Sequence, residues 1–442
     1  MPANTKISIV KAAQASYQQA NVHEALALLL QQLGLDPVNW GTPQWNPLKG
    51  FIRTGDRVLL KPNLIRQSHL LNSDWEYVIT HRAILDAVLD YVCRALAGSG
   101  EIIIADGPQT DSDFDKIYQV LELAELKARY QQQWGCSIEV LDLREEHWRE
   151  LDTVTVERIK LPGDPRGYIE FDLADKSEFT SHRSNGRYYG ADYNFTETQN
   201  YHSQGRNCYR VARSPLAADV FINLPKLKTH KKTGVTLSLK NLVGIHGNRN
   251  YLPHHAMGTP NEGGDEFAYS DIKSGLQSQL TQWLKRRLAQ QGSKGGTMLR
   301  ALKKTGYQVF GSTEKVVRSG NWYGNDTAWR MVLDLNKILF YGQLDGSLAN
   351  HSQRRYLTIV DGIIAGEGNG PMAPQPKPCG LLVGGFNPVA VDTVCATLMG
   401  FDYRKLNMLA HAWELTNYPL VDFTPDEIHC VANILGWTGS QT

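Results

Sequence analysis

The sequence is short of several things that would assign it quickly. Its 442 residues hold six cysteines, at 93, 136, 208, 379, 395 and 430, and no two of them form a CxxC pair. That spacing removes the usual signatures of a zinc ribbon, and no iron–sulfur cluster is expected. Few scattered thiols in a long chain suit the reducing cytoplasm. No apolar run approaches the roughly 20 residues that a membrane-spanning helix needs. The opening MPANTKISIVKAAQA lacks the charged-then-apolar pattern of a secretory signal. Net charge is only +1, from 46 Lys+Arg and 45 Asp+Glu. A dedicated nucleic-acid binder carries a domain-wide basic excess, so sequence-specific nucleic acid is not an expected partner. The histidines form no HxxxH or HxH pair, and neither a GxSxG elbow nor a GxxxxGK[ST] phosphate loop occurs.

What is present is alternation. ISIVKA (7–12), RVLLKPN (57–63), EIIIADG (101–107) and SIEVLDL (137–143) read as strands, separated by helical patterns at 23–35, 80–96 and 114–135. Thr80 is placed to cap the second helix, whose apolar face carries Ile84, Leu85, Val88, Leu89 and Val92. Such alternation implies a parallel sheet with crossover helices. VERIKLP (155–161) and GYIEFDL (167–173) flank the turn GDPRG and read as an appended hairpin. The α/β pattern returns after Asp219 and again in RYLTIVDGII (355–364), GLLVGGF (380–386) and a helix that Asn387 and Pro388 should start. The expected fold class is α/β: two α/β units with mostly parallel sheets, an appended β-hairpin and a helical basic insertion. The expected division is an N-terminal unit over 1–150, a hairpin and irregular lid-like segment over 151–215, and a C-terminal unit over 216–442. The C-terminal unit would contain the insertion at about 265–320.

Residues 220–250 are the most informative stretch. They hold Lys226, Lys228, Thr229, His230, Lys231, Lys232, Lys240, Asn241 and His246, and not one acid. A surface helix usually interleaves lysine with glutamate, so this segment points to an anion. Functional groups in open α/β sheets gather at the carboxyl ends of strands. Four apolar strands here end in polar residues: Lys61 and Asn63, Asp106, Asn223 with Lys226, and Asp361. If those ends meet, they line one cleft, though each Asp–Gly pair is also an ordinary turn. In DGIIAGEGNGP (361–371), Gly366, Gly368 and Gly370 could let successive N–H groups form an anion nest. Asp392 lies a turn into an apolar helix and needs a partner, a lysine, a metal or a backbone donor, and reads either as half of a structural ion pair or as a catalytic group. Trp322, Asn325, Asp326, Trp329 and Arg330 read either as a sugar-binding surface or as a capped helix start with a core tryptophan.

Three of these stretches carry a resemblance. LPKLKTHKKTGVTLSLKNLVG, VDGIIAGEGNGP and GFNPVAVDTVCATLMG, with KPNL at 61–64, Thr80–His81 and the strand ending IADG, resemble the family called domain of unknown function 362 (DUF362). The likeness spans roughly residues 55–400, and GNWYGNDTAWRMVLDLN resembles a subgroup with a long basic insertion. The resemblance implies an α/β fold and a shared polar cleft but no reaction. Many members carry a ferredoxin-like module, and this chain has no cysteine cluster that would correspond to one.

The leading expectation is an enzyme acting on an anionic small molecule, carboxylated or phosphorylated, with a sugar-containing one among the options. Lys226, Lys228, Asp361, Glu367 and Asp392 are the candidate catalytic residues. Lys61, Asn63, Asp106, Asn223, Thr229, His230, Lys240, Asn241, Gly368 and Gly370 are the candidate substrate contacts. Asp361, Glu367 and Asp392 are also candidates for a hard divalent cation such as Mg²⁺. The alternative is a non-catalytic protein that docks on an anionic polymer or membrane surface through 285–318, where nine Lys/Arg face one acid, Glu314. A redox partner is a third reading.

Overall fold

A computed structural model describes residues 5–151, 154–190, 195–269 and 319–440. The basic run at 285–318, and with it the docking alternative, lies outside them. The first part of the chain folds as β1 (Lys6–Lys11), α1 (Gln19–Gln32), β2 (Arg57–Pro62), α2 (Arg82–Leu96), β3 (Glu101–Asp106), α3 (Phe114–Val120), α4 (Leu123–Trp134) and β4 (Ser137–Asp142). Then come β5 (Glu146–Leu151), β6 (Val154–Lys160), β7 (Tyr168–Asp172), β8 (Tyr188–Tyr189), α5 (Thr196–Tyr201), β9 (Cys208–Ala212) and α6 (Arg213–Leu216). The acid-free stretch forms β10 (Val220–Leu224), β11 (Lys226–His230), β12 (Gly234–Thr236) and α7 (Ser238–Asn241), followed by β13 (His255–Ala256). After residue 319 lie α8 (Ala328–Tyr341), β14 (Arg355–Asn369), β15 (Ala373–Gly385), α9 (Pro388–Leu398), α10 (Asn407–Glu414), β16 (His429–Ala432) and β17 (Gly439–Ser440).

Eleven strands make one mostly parallel sheet in the order β17–β16–β1–β15–β14–β10–β2–β3–β4, with β11 against β14 and β12 against β11. The two alternating stretches, before residue 150 and after residue 216, both feed this sheet. β10 sits between β14 and β2 and runs parallel to each. Successive side chains of a strand point to opposite faces, which is why RVLLKP reads as a continuous apolar run. Leu59, Ile103 and Phe221 enter one core with Met331, Leu335 and Val389 from α8 and α9. Val58, Leu60, Ile104 and Ile222 enter the other with Leu26, Ile84 and Val88 from α1 and α2.

Three local expectations change. The appended hairpin exists, but it is β5 with β6, while β7 pairs with β9. Asp164 explains the switch: its carboxylate accepts from the Ser214 backbone N–H at 2.6 Å and the Ser214 hydroxyl at 2.7 Å, pinning the GDPRG turn to α6. The cap of α2 is His81, whose Nδ1 accepts from the Ala83 N–H at 3.0 Å. Thr80 instead bridges strands, donating to the Leu224 carbonyl and accepting from the Asn63 N–H. Finally, β14 does not end near Asp361; it runs on to Asn369 as a ribbon with β15.

Candidate functional site

The apolar core gives way to a polar layer at the carboxyl ends of β2, β3 and β10. Register sets Lys61 beside Asn223 and Pro62 beside Leu224. Lys61 Nζ lies 2.6 Å from Asp106 and donates to the Pro62 carbonyl at 3.0 Å. Asp106 also accepts the Leu64 N–H at 2.6 Å. Burial pulls the Lys61 amine down, and Asp106 offsets part of that shift. The three asparagines consume one another. Asn63 donates to Asn241 Oδ1, while the Asn241 amide donates to the Lys61 carbonyl and to Asn223 Oδ1. Asn223 in turn donates to the Ser238 carbonyl. Buried amides need such partners, since leaving one unmade costs about 1–3 kcal/mol.

A second enclosed group forms where β11 meets β14. Lys226 Nζ lies 2.9 Å from Asp361 and 2.5 Å from the Tyr17 hydroxyl. Tyr17 donates to the other Asp361 oxygen at 2.8 Å, and the His81 N–H donates to Asp361 at 3.0 Å. The His81 ring is stacked between Tyr17, with centroids 3.6 Å apart, and Trp75 at 4.9 Å. Burial holds this imidazole neutral, with its pKa lowered to about 3. Lys228 completes the layer, donating to Asn63 Oδ1 at 3.0 Å and to the Val78 carbonyl at 2.6 Å. The four strand ends therefore meet, but as a closed layer: Lys61, Asn223, Lys226, Lys228 and Asp361 have no exposed surface.

Backbone approach matters at Gly244, which follows α7. A Cβ there would stand 1.7 Å from Asp106 Oδ1 and 2.7 Å from Lys61 Nζ. Its carbonyl accepts from the Gly107 N–H at 2.7 Å, tying the acid-free segment to the end of β3. Asp392 reaches the same segment from α9, accepting the Ser238 N–H at 2.8 Å and the Leu239 N–H at 2.9 Å. Burial raises its pKa to about 7 against the pull of those donors. Asp392 thus caps α7 from outside.

The remaining predicted residues divide. Glu367 is exposed on the ribbon, 3.3 Å from Lys377. Gly368 is also exposed, its carbonyl accepting from the Thr229 hydroxyl, and Gly370 packs on the Thr229 carbonyl. Gly366 and Gly368 pair with Pro376 and Pro374, so this stretch is strand rather than a cupped loop. Asp361 and Glu367 are six residues apart along β14, about 20 Å of strand, while Asp392 faces α7. Among the described residues, no three His, Cys, Asp or Glu side chains gather as a metal site requires. The tryptophan-rich stretch satisfies itself. Trp322 Nε1 donates to the Asp265 carbonyl, Asp265 accepts the Asp326 and Thr327 N–H groups, and buried Trp329 stacks on His411.

His230 and Lys240 lead to a group that spacing alone does not reveal. Lys240 is only 9% exposed, and its amine has no hydrogen-bond or ion-pair partner among the described residues. Burial first, then Arg249 and Lys232, lower its pKa to about 7. Burial and the charges of Lys240, Arg249 and Lys232 push His254 well down, and His230 answers to Lys240, Lys232 and Lys228 in the same way. Burial and Arg144 bring Arg249 to about 10. Lys232 is lowered to about 8 by burial, opposed by Asp265 and Glu266. Arg249 Nε and His246 Nε2 are enclosed and have no hydrogen-bond partner among the described residues. Arg249, His246 and Arg144 border a cavity of about 10 Å³, roughly the space of one water. Arg249 belongs to the acid-free stretch and could have been included for that reason; His254 and Tyr17 carry no signal in the sequence.

No curated protein matches the chain. A protein of Thermotoga maritima known from a crystal structure is similar at 11% identity with a TM-score of 0.34, over 87% of this chain and 59% of that one. The chain thus spans less than two thirds of that protein's length. The family described as domain of unknown function (DUF362) matches residues 58–166 and 185–397, and the chain belongs to that family.

Proposed function

We propose that this protein binds an anionic small molecule, phosphorylated or carboxylated, against His230, Lys232, Lys240, Arg249 and His254, and acts on it there. The observation that carries the reading is Lys240: a side chain nine-tenths buried, with no acid partner among the described residues, set among other cationic groups. Uncompensated buried charge is costly, and neighbouring cations add to that cost. A bound anion removes both penalties at once. The closed layer of Lys61, Asp106, Asn63, Asn223 and Asn241 supports the site from beneath by fixing α7, which carries Lys240. Lys226 and Asp361 hold β11 to β14 in the same supporting sense.

Titration calorimetry at low ionic strength with inorganic phosphate, pyrophosphate and citrate tests the reading. Saturable binding of at least one, reduced tenfold or more in Lys240→Met and unchanged in Lys377→Ala, is the expected result. Equal affinity in Lys240→Met and wild type would remove it.

A further inference from the structure

We propose that Lys240 is a nucleophilic amine that condenses with the carbonyl group of an anionic aldehyde or ketone. This rests on the anion-binding reading above and names the substrate class and first covalent step at that site.

The argument starts from how the chain treats its enclosed lysines. Lys61 pairs with Asp106, Lys226 with Asp361, and Lys337 with Glu178 at 2.5 Å. Lys228 is held by an asparagine oxygen and a carbonyl. Each of these amines is bound in place and is unavailable for attack. Lys240 is 9% exposed, where Lys61, Lys226 and Lys228 show nothing and Lys337 shows 1%, and it has none of these restraints among the described residues. Its immediate charged company is Arg249, Lys232, His230, His254 and Lys228, all of them cationic or neutral.

An amine attacks only as the free base. Desolvation next to another cation is a general way to keep a lysine neutral near pH 7. Here burial, Arg249 and Lys232 do this, bringing the group to about 7. Arg249 and Lys232, which help to lower the amine, would take the carboxylate or phosphate, and burial, the largest cause of the lowered pKa, remains when it binds.

The step balances without an outside oxidant or reductant. The Lys240 nitrogen attacks the carbonyl carbon, a C–N bond forms, and the π pair moves to oxygen. The two protons of the amine leave with that oxygen as water, and an imine remains. Asp392 and Asn241 act at a distance as positioning residues, because they anchor α7 at its two ends.

The test uses the full-length protein with pyruvate and pyridoxal 5′-phosphate as separate probes. Cyanoborohydride reduces any imine to a stable secondary amine, and peptide mass mapping locates it. A surface lysine near pKa 10.4 is almost wholly protonated at pH 7, so Lys240 should label on the order of a thousandfold faster than the other lysines. One equivalent at Lys240, slowed by inorganic phosphate and lost in Lys240→Arg, is the expected result. The wild-type label position stands even if that variant folds poorly. Label spread over exposed lysines with none at Lys240, while phosphate still binds by calorimetry, would overturn the imine and leave the anion site standing. Label at Lys240 with no phosphate binding and no competition would keep the nucleophile and remove the anion site.

Discussion

Lys61 and Asp106 meet at 2.6 Å with both side chains almost wholly enclosed. A buried pair of this kind contributes little net stability, yet removing one partner leaves the other charge desolvated and alone. Lys61→Met keeps the unbranched apolar stem, removes the ammonium and strands the Asp106 carboxylate with the Leu64 N–H as a remaining donor. The variant should lose about 3–5 kcal/mol, read as a lower urea midpoint with an unchanged slope. A loss under about 1 kcal/mol would mean that water reaches the pair.

Gly244 rests against that same pair. A methyl group there would overlap Asp106 Oδ1 at 1.7 Å, and the acid cannot retreat without giving up Lys61 and the Leu64 N–H. Gly244→Ala should therefore destabilise by more than the ~0.5–1 kcal/mol typical of a tolerated glycine change in regular structure, and in the opposite direction from it. Thermal unfolding of Gly244→Ala beside Gly400→Ala, whose position has open space, compares crowding with backbone strain alone. Equal losses in the two would argue against the contact.

Much of this arrangement was legible because its signals are local. An apolar run followed by Lys61 and Asn63, or by Asp106, states a strand and its polar end within a few residues, and parallel alternation makes such ends neighbours. What the chain does with those groups was not local. That Lys226 spends its charge on Asp361 depends on β11 lying beside β14. The length of β14 was hidden by the glycines of 366–370 and by Pro374, Pro376 and Pro378. These prolines alternate, so their missing N–H groups fall on one side of the ribbon and the strand survives. Thr80 looked like a cap by type, but its hydroxyl had a better use between β2 and β10. Arg249 and His254 come to Lys240 from a single 3₁₀ turn and the irregular chain after it, where no period reports proximity.

Asp392 gives a pH signature. Its folded pKa of about 7 lies above the ordinary 3.8 because of burial. Between those values the folded state holds the proton more tightly than the unfolded state. The associated stability is present below about 4 and is lost as pH rises to 7, flat thereafter. Asp392→Asn removes the titration. The stability of wild type relative to this variant should fall by a few kcal/mol from pH 4 to 7, at about 1.4 kcal/mol per pH unit. Parallel curves for the two proteins would show that the Ser238 and Leu239 donors keep the carboxylate ionised throughout.

Lys240 reverses the usual sign of a lysine substitution. Its folded pKa of about 7 lies below the ordinary 10.5 because of burial and the charges of Arg249 and Lys232. At pH 7 and below, the protonated amine costs the folded state its full penalty. The penalty shrinks as pH rises from 7 and is gone by about 10.5, where the unfolded chain is neutral too. Lys240→Met should therefore be more stable than wild type at pH 7, by on the order of 2–4 kcal/mol, with the gap closing toward pH 10. Phosphate should act in the opposite direction. A ligand at a hundred times its Kd adds about 2.7 kcal/mol to the state that binds it, so saturating phosphate should raise the wild-type melting temperature and leave Lys240→Met in place. A methionine variant that is less stable than wild type at pH 7 in phosphate-free buffer would show that the amine is already compensated, and the case for an anion at this position would fail with it.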